Sequence, residues 1–239
     1  MYGPEWTVFK MLLSGGFTSD WLLSLLFSLP AILIALSFHE FAHAWVANKM
    51  GDPTAKNAGR LTLDPVKHLD LIGTICLILF RFGWAKPVPI NPRNFKNPRR
   101  DEILVSLAGI GMNVLISFVA FGVMFWLIIT KQVAVDSLPF YGLLAATNAN
   151  AIIFNIVNMM FLINVFFAVF NLIPIPPLDG FHIISAIFIR KAGQAVSVLY
   201  RYGFLILIIL LFTGVINQLL TFFVTWMTVL FANFFLLFT

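Results

Sequence analysis

Leu36-Ser37-Phe38-His39-Glu40-Phe41-Ala42-His43-Ala44-Trp45 lies near the end of an apolar run from Ser19 to Asn48, long enough to cross a bilayer with tilt. On a helix, positions i and i+4 project from one face, so His39 and His43 offer two imidazoles to a single point. Glu40 falls beside them, where a carboxylate can take a proton from water activated at a metal. From this composition, a chance HExxH arises on the order of once in a thousand such chains. Ionisable groups inside a span are costly and mark functional sites. Hydrolysis at a metal accounts for two imidazoles and a carboxylate in one span.

Outward from this run, the 239 residues are 60% hydrophobic and 10% charged, with a mean hydropathy of +0.95. That balance describes a polytopic membrane protein, since a soluble domain would lack the polar surface to cover such a core. The lone Cys76 excludes an intrachain disulfide framework and a cysteine-based zinc site. The first long apolar segment carries HExxH, so it is expected to stay in the mature protein rather than leave as a signal. Net charge is +5, yet ten of the 15 Lys and Arg fall between Lys49 and Arg100 on one connection between spans. That pattern fits the positive-inside rule and argues against a nucleic-acid partner.

Spans are predicted over about residues 19–48, 102–130 and 150–172. Pro30 is placed to kink the first and make its HExxH half a semi-independent piece. Residues 49–68 are polar, with turns at Gly51, Pro53, Gly59 and Pro65. Leu69 to Phe82 is apolar but only 14 residues long, which suits a re-entrant or interfacial element. The proline-punctuated stretch from Gly83 to Pro92 reads as an extended strand or short hairpin at the membrane edge. After the third span, Pro174, Pro176 and Pro177 force a break, and Leu178 to Arg190 reads as a short helix. Gly203 to Phe238 is too long for one crossing and is expected to turn at Gly214–Gln218.

The expected fold is therefore an all-α polytopic membrane protein with about five transmembrane helices plus a re-entrant or β-hairpin element between the first and second spans. Residues 1–18 form a short external N-terminal segment, 19–190 the catalytic membrane core with basic connection 49–101, and 199–239 two C-terminal spans. Placing 49–101 in the cytoplasm puts 13 of 15 basic residues inside, leaving Lys10 and Lys131 outside. The N-terminus is then external. The HExxH end of the first span and the break after the third both lie toward the cytoplasmic side of a plasma (inner) membrane.

A zinc hydrolase needs a third protein ligand and an open position. Asp179, in Asn171-Leu172-Ile173-Pro174-Ile175-Pro176-Pro177-Leu178-Asp179-Gly180, follows a backbone break tolerated at membrane depth only where it is packed in protein or lines a water cavity. It is either that ligand or the N-cap of the short helix. HExxH followed by this segment resembles the site-2 protease family of intramembrane zinc metalloproteases. The likeness extends to Gly59-Arg60-Leu61-Thr62, Gly83-Trp84-Ala85-Lys86-Pro87-Val88-Pro89, Asn91-Pro92-Arg93-Asn94-Phe95, Pro98-Arg99-Arg100, and Ala108-Gly109 with Asn113. It covers about residues 35–190. The resemblance implies that His39, His43 and Asp179 hold Zn2+ and that Glu40 is the general base. Ile110 departs from the family's proline after Ala-Gly, and Phe181 from a small residue after Asp-Gly. With no room for a PDZ-like insert or a CBS-like tail, a minimal form is expected.

Asn113 is either an oxyanion or substrate hydrogen-bond donor or an interhelical bond beside Gly109 and Gly111. His68 reads as a solvated interfacial residue and His182 as a partner of a ligand. Trp6, Trp21, Trp45 and Trp84 read as interface anchors. Val88 to Ile90 is either an edge to which an extended substrate pairs or a hairpin shielding the cavity. The implied substrates are transmembrane segments of other membrane proteins; the resemblance suggests anti-sigma factors, transcription-factor precursors or signal-peptide remnants. A homo-oligomer or a regulatory membrane partner is compatible with the sequence. The rivals are a metal transporter, for which inverted repeats or further intramembrane acids are expected, and a catalytically silent scaffold.

Overall fold

The computed structural model describes residues 19–80, 83–135, 142–145, 147–188 and 193–239. The predicted external segment 1–18, with Trp6 and Lys10, lies outside the described residues, as do Arg190, which ends the predicted short helix, and Lys191 after it. Helix α1 spans Ser19–Met50 and runs without interruption through Pro30, so its HExxH half is not a separate piece. Short helices α2 (Thr54–Asn57), α3 (Pro65–His68) and α4 (Leu71–Phe80) follow, then a single 3-10 turn at Pro92–Asn94. Helix α5 spans Pro98–Ile129, α6 Ala149–Asn171, α7 Asp179–Phe188, α8 Gly193–Phe212 and α9 Val215–Leu236.

Among the described residues, four helices are long and apolar enough to cross a membrane: Leu22–Met50 of α1, and all of α5, α6 and α9. Between α8 and α9 the predicted turn is tighter than expected. Gly214 alone takes a left-handed backbone, with φ of 76°, and Val215 to Gln218 already belong to α9. No strand occurs among the described residues. The extended stretch after α4 makes one isolated antiparallel bridge, Leu69 to Ala85.

Helices α1, α5 and α6 pack on one another, α7 lies against α5, and α9 covers α5 and α6. Between α5, α6 and α9, Phe121, Met124, Phe154, Phe161 and Val165 are wholly enclosed. The phenylalanines of α9 divide between packing and exposure. Phe231 and Phe235 each stand 5.1 Å from the Phe118 ring, while Phe222 and Phe234 are exposed. In lipid such close packing, rather than expulsion of water, holds helices together. Helix α6 also buries three asparagines, Asn155, Asn158 and Asn164. Asn155 fastens the connection from α5 by two 2.9 Å bonds to the backbone of Leu144, one accepted and one donated.

The basic connection is held by buried polar groups as well as by Val88 and Phe95, which pack against Ala44 and Ala47 of α1. Asp52, fully buried beyond the end of α1, accepts from Asn91 N–H at 2.7 Å and from Asn94 Nδ2 at 2.7 Å. It also accepts from the Thr54 N–H at 3.1 Å and from its hydroxyl. At the other end of the stretch, Arg60 donates to the Lys86 carbonyl at 2.6 Å. Lys86 N–H donates to the His68 carbonyl at 2.8 Å. His68 is not the solvated residue expected from the sequence: it is entirely buried, with Nε2 2.8 Å from the Thr62 carbonyl. The polarity of its neighbours in sequence misleads, because the loop folds back over the imidazole. Residues 86–94 are thus clamped at both ends.

Burial works to raise the Asp52 carboxyl, but the hydrogen bonds from Thr54, Asn91 and Asn94 outweigh it and hold the group below the usual carboxylate range. A depressed folded-state value means the clamp contributes fully above the unfolded value of about 3.9 and is lost as pH falls through the folded value. Asp52→Ala is expected to cost on the order of 3 kcal/mol and to remove hydrogen-exchange protection at the Asn91 backbone amide, which donates to Asp52, at neutral pH. In the unaltered protein the same protection should disappear only on acidification below about pH 4; equal protection in both proteins would remove Asp52 from this role.

Candidate metal centre

The i, i+4 spacing puts His39 and His43 on the face of α1 that meets α5 and α7. Their Nε2 atoms are 2.9 Å apart, and the rings stand edge to face with centroids 4.4 Å apart. Helix α7 begins at Asp179, directly after the proline segment, in which the Pro176–Pro177 bond is cis. Asp179 Oδ2 lies 3.2 Å from His39 Nε2 and 3.3 Å from His43 Nε2. This oxygen is buried without a hydrogen-bond partner, so it is not the acceptor of a helix cap. Two close approaches make the convergence possible. A Cβ on Gly109 would sit 2.5 Å from His43 Nε2, so only glycine lets the imidazoles lie against α5. A Cβ on Gly180 would run into the Leu172 carbonyl, so only glycine lets α7 turn back against the end of α6.

The far nitrogens of both imidazoles settle the tautomers. His39 Nδ1 is 2.7 Å from Asn113 Oδ1, and His43 Nδ1 is 2.7 Å from the Val105 carbonyl. The Asn113 amide is oriented in turn, because its Nδ2 donates to the Ala35 carbonyl at 3.2 Å and to Asn164 Oδ1 at 2.9 Å. Asn164 Nδ2 donates to the Met160 carbonyl at 2.8 Å. Both Nδ1 atoms therefore carry protons, and both Nε2 atoms present lone pairs. Two lone pairs and a carboxylate oxygen converging in a buried space repel one another unless a cation stands among them. Two imidazole nitrogens and one carboxylate oxygen are a donor set suited to zinc, and the three residues lie close enough to share one ion.

Glu40 is buried beside this cluster, and its Oε2 accepts from Val88 N–H at 2.8 Å. The proline-rich stretch thus passes directly over the HExxH face. A cavity of about 330 Å³ opens there, lined by His39, Glu40, His43, Val88 and Asp179 among others. Asn113 is not among its lining residues, and both ends of its amide are engaged between helices. His182, one turn along α7, meets Glu102 Oε1 through Nδ1 at 3.2 Å rather than the cluster. Sequence reasoning did not find Asn164, the Val105 carbonyl or Asp52. An asparagine in an apolar span was a visible signal for Asn164; a backbone carbonyl leaves no sequence signal at all.

The profile of peptidase family M50 matches residues 27–211. YwhC of Bacillus subtilis (strain 168), a zinc metalloprotease by name, is 38% identical over 182 residues, covering 76% of this chain and 78% of the relative. Rip2 of Mycolicibacterium smegmatis (strain ATCC 700084 / mc(2)155), also a zinc metalloprotease by name, is 27% identical over 192 residues, covering 78% of this chain and 66% of the relative. No solved structure gives a significant match. With the family profile covering the region that builds the metal centre, the chain belongs to peptidase family M50, the site-2 protease family.

Proposed function

We propose that this chain is an intramembrane zinc metalloprotease that cleaves peptide bonds in or near the transmembrane segments of other membrane proteins. The observation that carries the reading is the buried convergence of His39 Nε2, His43 Nε2 and Asp179 Oδ2 beside Glu40. His39, His43 and Asp179 hold the metal. Zinc at that place supplies a Lewis acid that polarises a peptide carbonyl and activates water at neutral pH. Glu40 is the general base: with Oε2 held by Val88 N–H, Oε1 takes a proton from water and delivers it to the leaving amine. Asn113 and the Val105 carbonyl hold the imidazoles in the tautomers that leave Nε2 free. The carboxylate of Asp179 offsets part of the metal's charge inside the membrane.

The catalytic core is 19–190, and 199–239 supplies two further spans, α8 counting as the fifth crossing. Helix α4, whose Leu71, Ile72 and Ile75 are exposed, dips into the membrane from the side of the basic connection as a re-entrant element. That connection faces the cytoplasm, the N-terminus is external, and the metal centre lies nearer the cytoplasmic side of the plasma membrane; the clustering of basic residues supports this orientation. The substrate enters as an extended peptide, because a helix hides its carbonyls, and the stretch from Val88 to Ile90 is the edge beside which it lies. Neither the family membership nor the intact ligand set favours a transporter or a silent scaffold.

Glu40→Gln is expected to lower peptide cleavage at least about a hundredfold while zinc, measured by elemental analysis of the purified protein, stays at the level of the unaltered chain. Asp179→Ala should lose zinc; unchanged stoichiometry would reassign the third ligand. Asn113→Leu removes the acceptor that orients His39, and is expected to weaken zinc retention by about tenfold to a hundredfold in competition with a chelator. Retention equal to the unaltered chain would leave Asn113 with packing alone.

A further inference from the structure

The cavity holds one carboxylate that the proposed chemistry does not use. Glu102 lines it from α5, and His182 lines it from α7. Their side chains meet across the two helices, Glu102 Oε1 to His182 Nδ1 at 3.2 Å, and both are partly exposed. Glu102 stands one turn from Val105, whose carbonyl holds His43, and His182 stands one turn from Asp179. One helical turn is about 5 Å, and successive residues of an extended peptide advance about 3.4 Å. Because the pair and Glu40 line one cavity of about 330 Å³, a side chain one or two residues from the peptide bond presented to Glu40 can reach the pair. No Lys or Arg is among the lining residues, which include three carboxylates. Arg100, the nearest cation in sequence, is committed to Asp101 at 2.9 Å. The contact with Nδ1 engages Oε1, and Oε2 can accept from a further donor.

We propose that Glu102 is a specificity-determining residue, selecting substrate segments that carry Lys or Arg one or two residues from the scissile bond. The proposal rests on the reading of the chain as a peptidase. It suits the substrate class, since the cytoplasmic ends of membrane spans are where Lys and Arg concentrate. A cationic side chain entering this wall gains a carboxylate with no Lys or Arg beside it among the lining residues, whereas Glu at the same position meets like charge. The bond to His182 explains why the carboxylate is held at the wall instead of turning out to solvent.

The test uses the full zinc-loaded chain in detergent and a transmembrane peptide bearing Lys, Gln or Glu at each of the two positions on either side of the cleaved bond. Lys is expected to exceed Glu in kcat/KM by about tenfold at one of these positions. Glu102→Gln, which keeps the hydrogen bond to His182 and removes only the charge, should bring that ratio within about twofold, and Glu102→Lys should invert it. Affinities of the same peptides for the zinc-loaded Glu40→Gln protein should follow the same order. A Lys-to-Glu ratio unchanged in Glu102→Gln, or no position with a preference, overturns the proposal. If the unaltered chain cleaves none of the peptides, the peptidase reading fails, and the order of affinities still decides the role of Glu102.

Discussion

Three electron-rich atoms brought together in a buried space are the constraint on which the remainder of this fold depends. His39 Nε2, His43 Nε2 and Asp179 Oδ2 lie 2.9 to 3.3 Å from each other, and the outer nitrogens of both rings are already engaged with carbonyl oxygens. Such an arrangement is unfavourable without a cation and favourable with one. It therefore has to be imposed by packing: by Gly109, which lets α5 approach the rings, and by Gly180, which lets α7 fold back on α6. The chain of amides from His39 through Asn113 to Asn164 carries that imposition into the third span.

Around this centre the molecule uses polar groups where the membrane leaves few alternatives. Apolar contact between α5, α6 and α9 supplies close packing, but it does not specify register, because one apolar surface resembles another. Buried asparagines do, since an amide in an apolar interior must find its partner. The connection that closes over Glu40 follows the same logic outside the spans: Asp52 fixes one end, and Arg60 with His68 the other. The stretch between them is thereby delivered to Glu40 with a backbone N–H in place.

Much of this was legible from residues alone where the physics is local. The spacing of His39 and His43 and the length of the apolar runs depend on the period and rise of one helix. Long apolar helices accordingly fall where hydropathy is high, four of them long enough to cross a membrane among the described residues, and the break before Asp179 falls where proline removes backbone donors. Where a residue's role depends on what folds over it, local reading failed. His68 sits in a polar stretch and is buried. Asn113 is open to two readings in sequence, and its partners on α1 and α6 become visible only in the fold.

The amino-acid sequence by itself determined a helical membrane protein with paired imidazoles, an adjacent carboxylate and a proline-broken segment bearing Asp179, because each of these follows from contiguous residues and helix geometry. Tertiary structure alone decided that Asp179 meets both imidazoles from 136 positions away in the case of His43, that Val88 lies on Glu40, and that Glu102 and His182 share one cavity wall. Those meetings depend on the angles at which separate helices pack, and packing angles are set by the fit of whole surfaces rather than by any short run of residues.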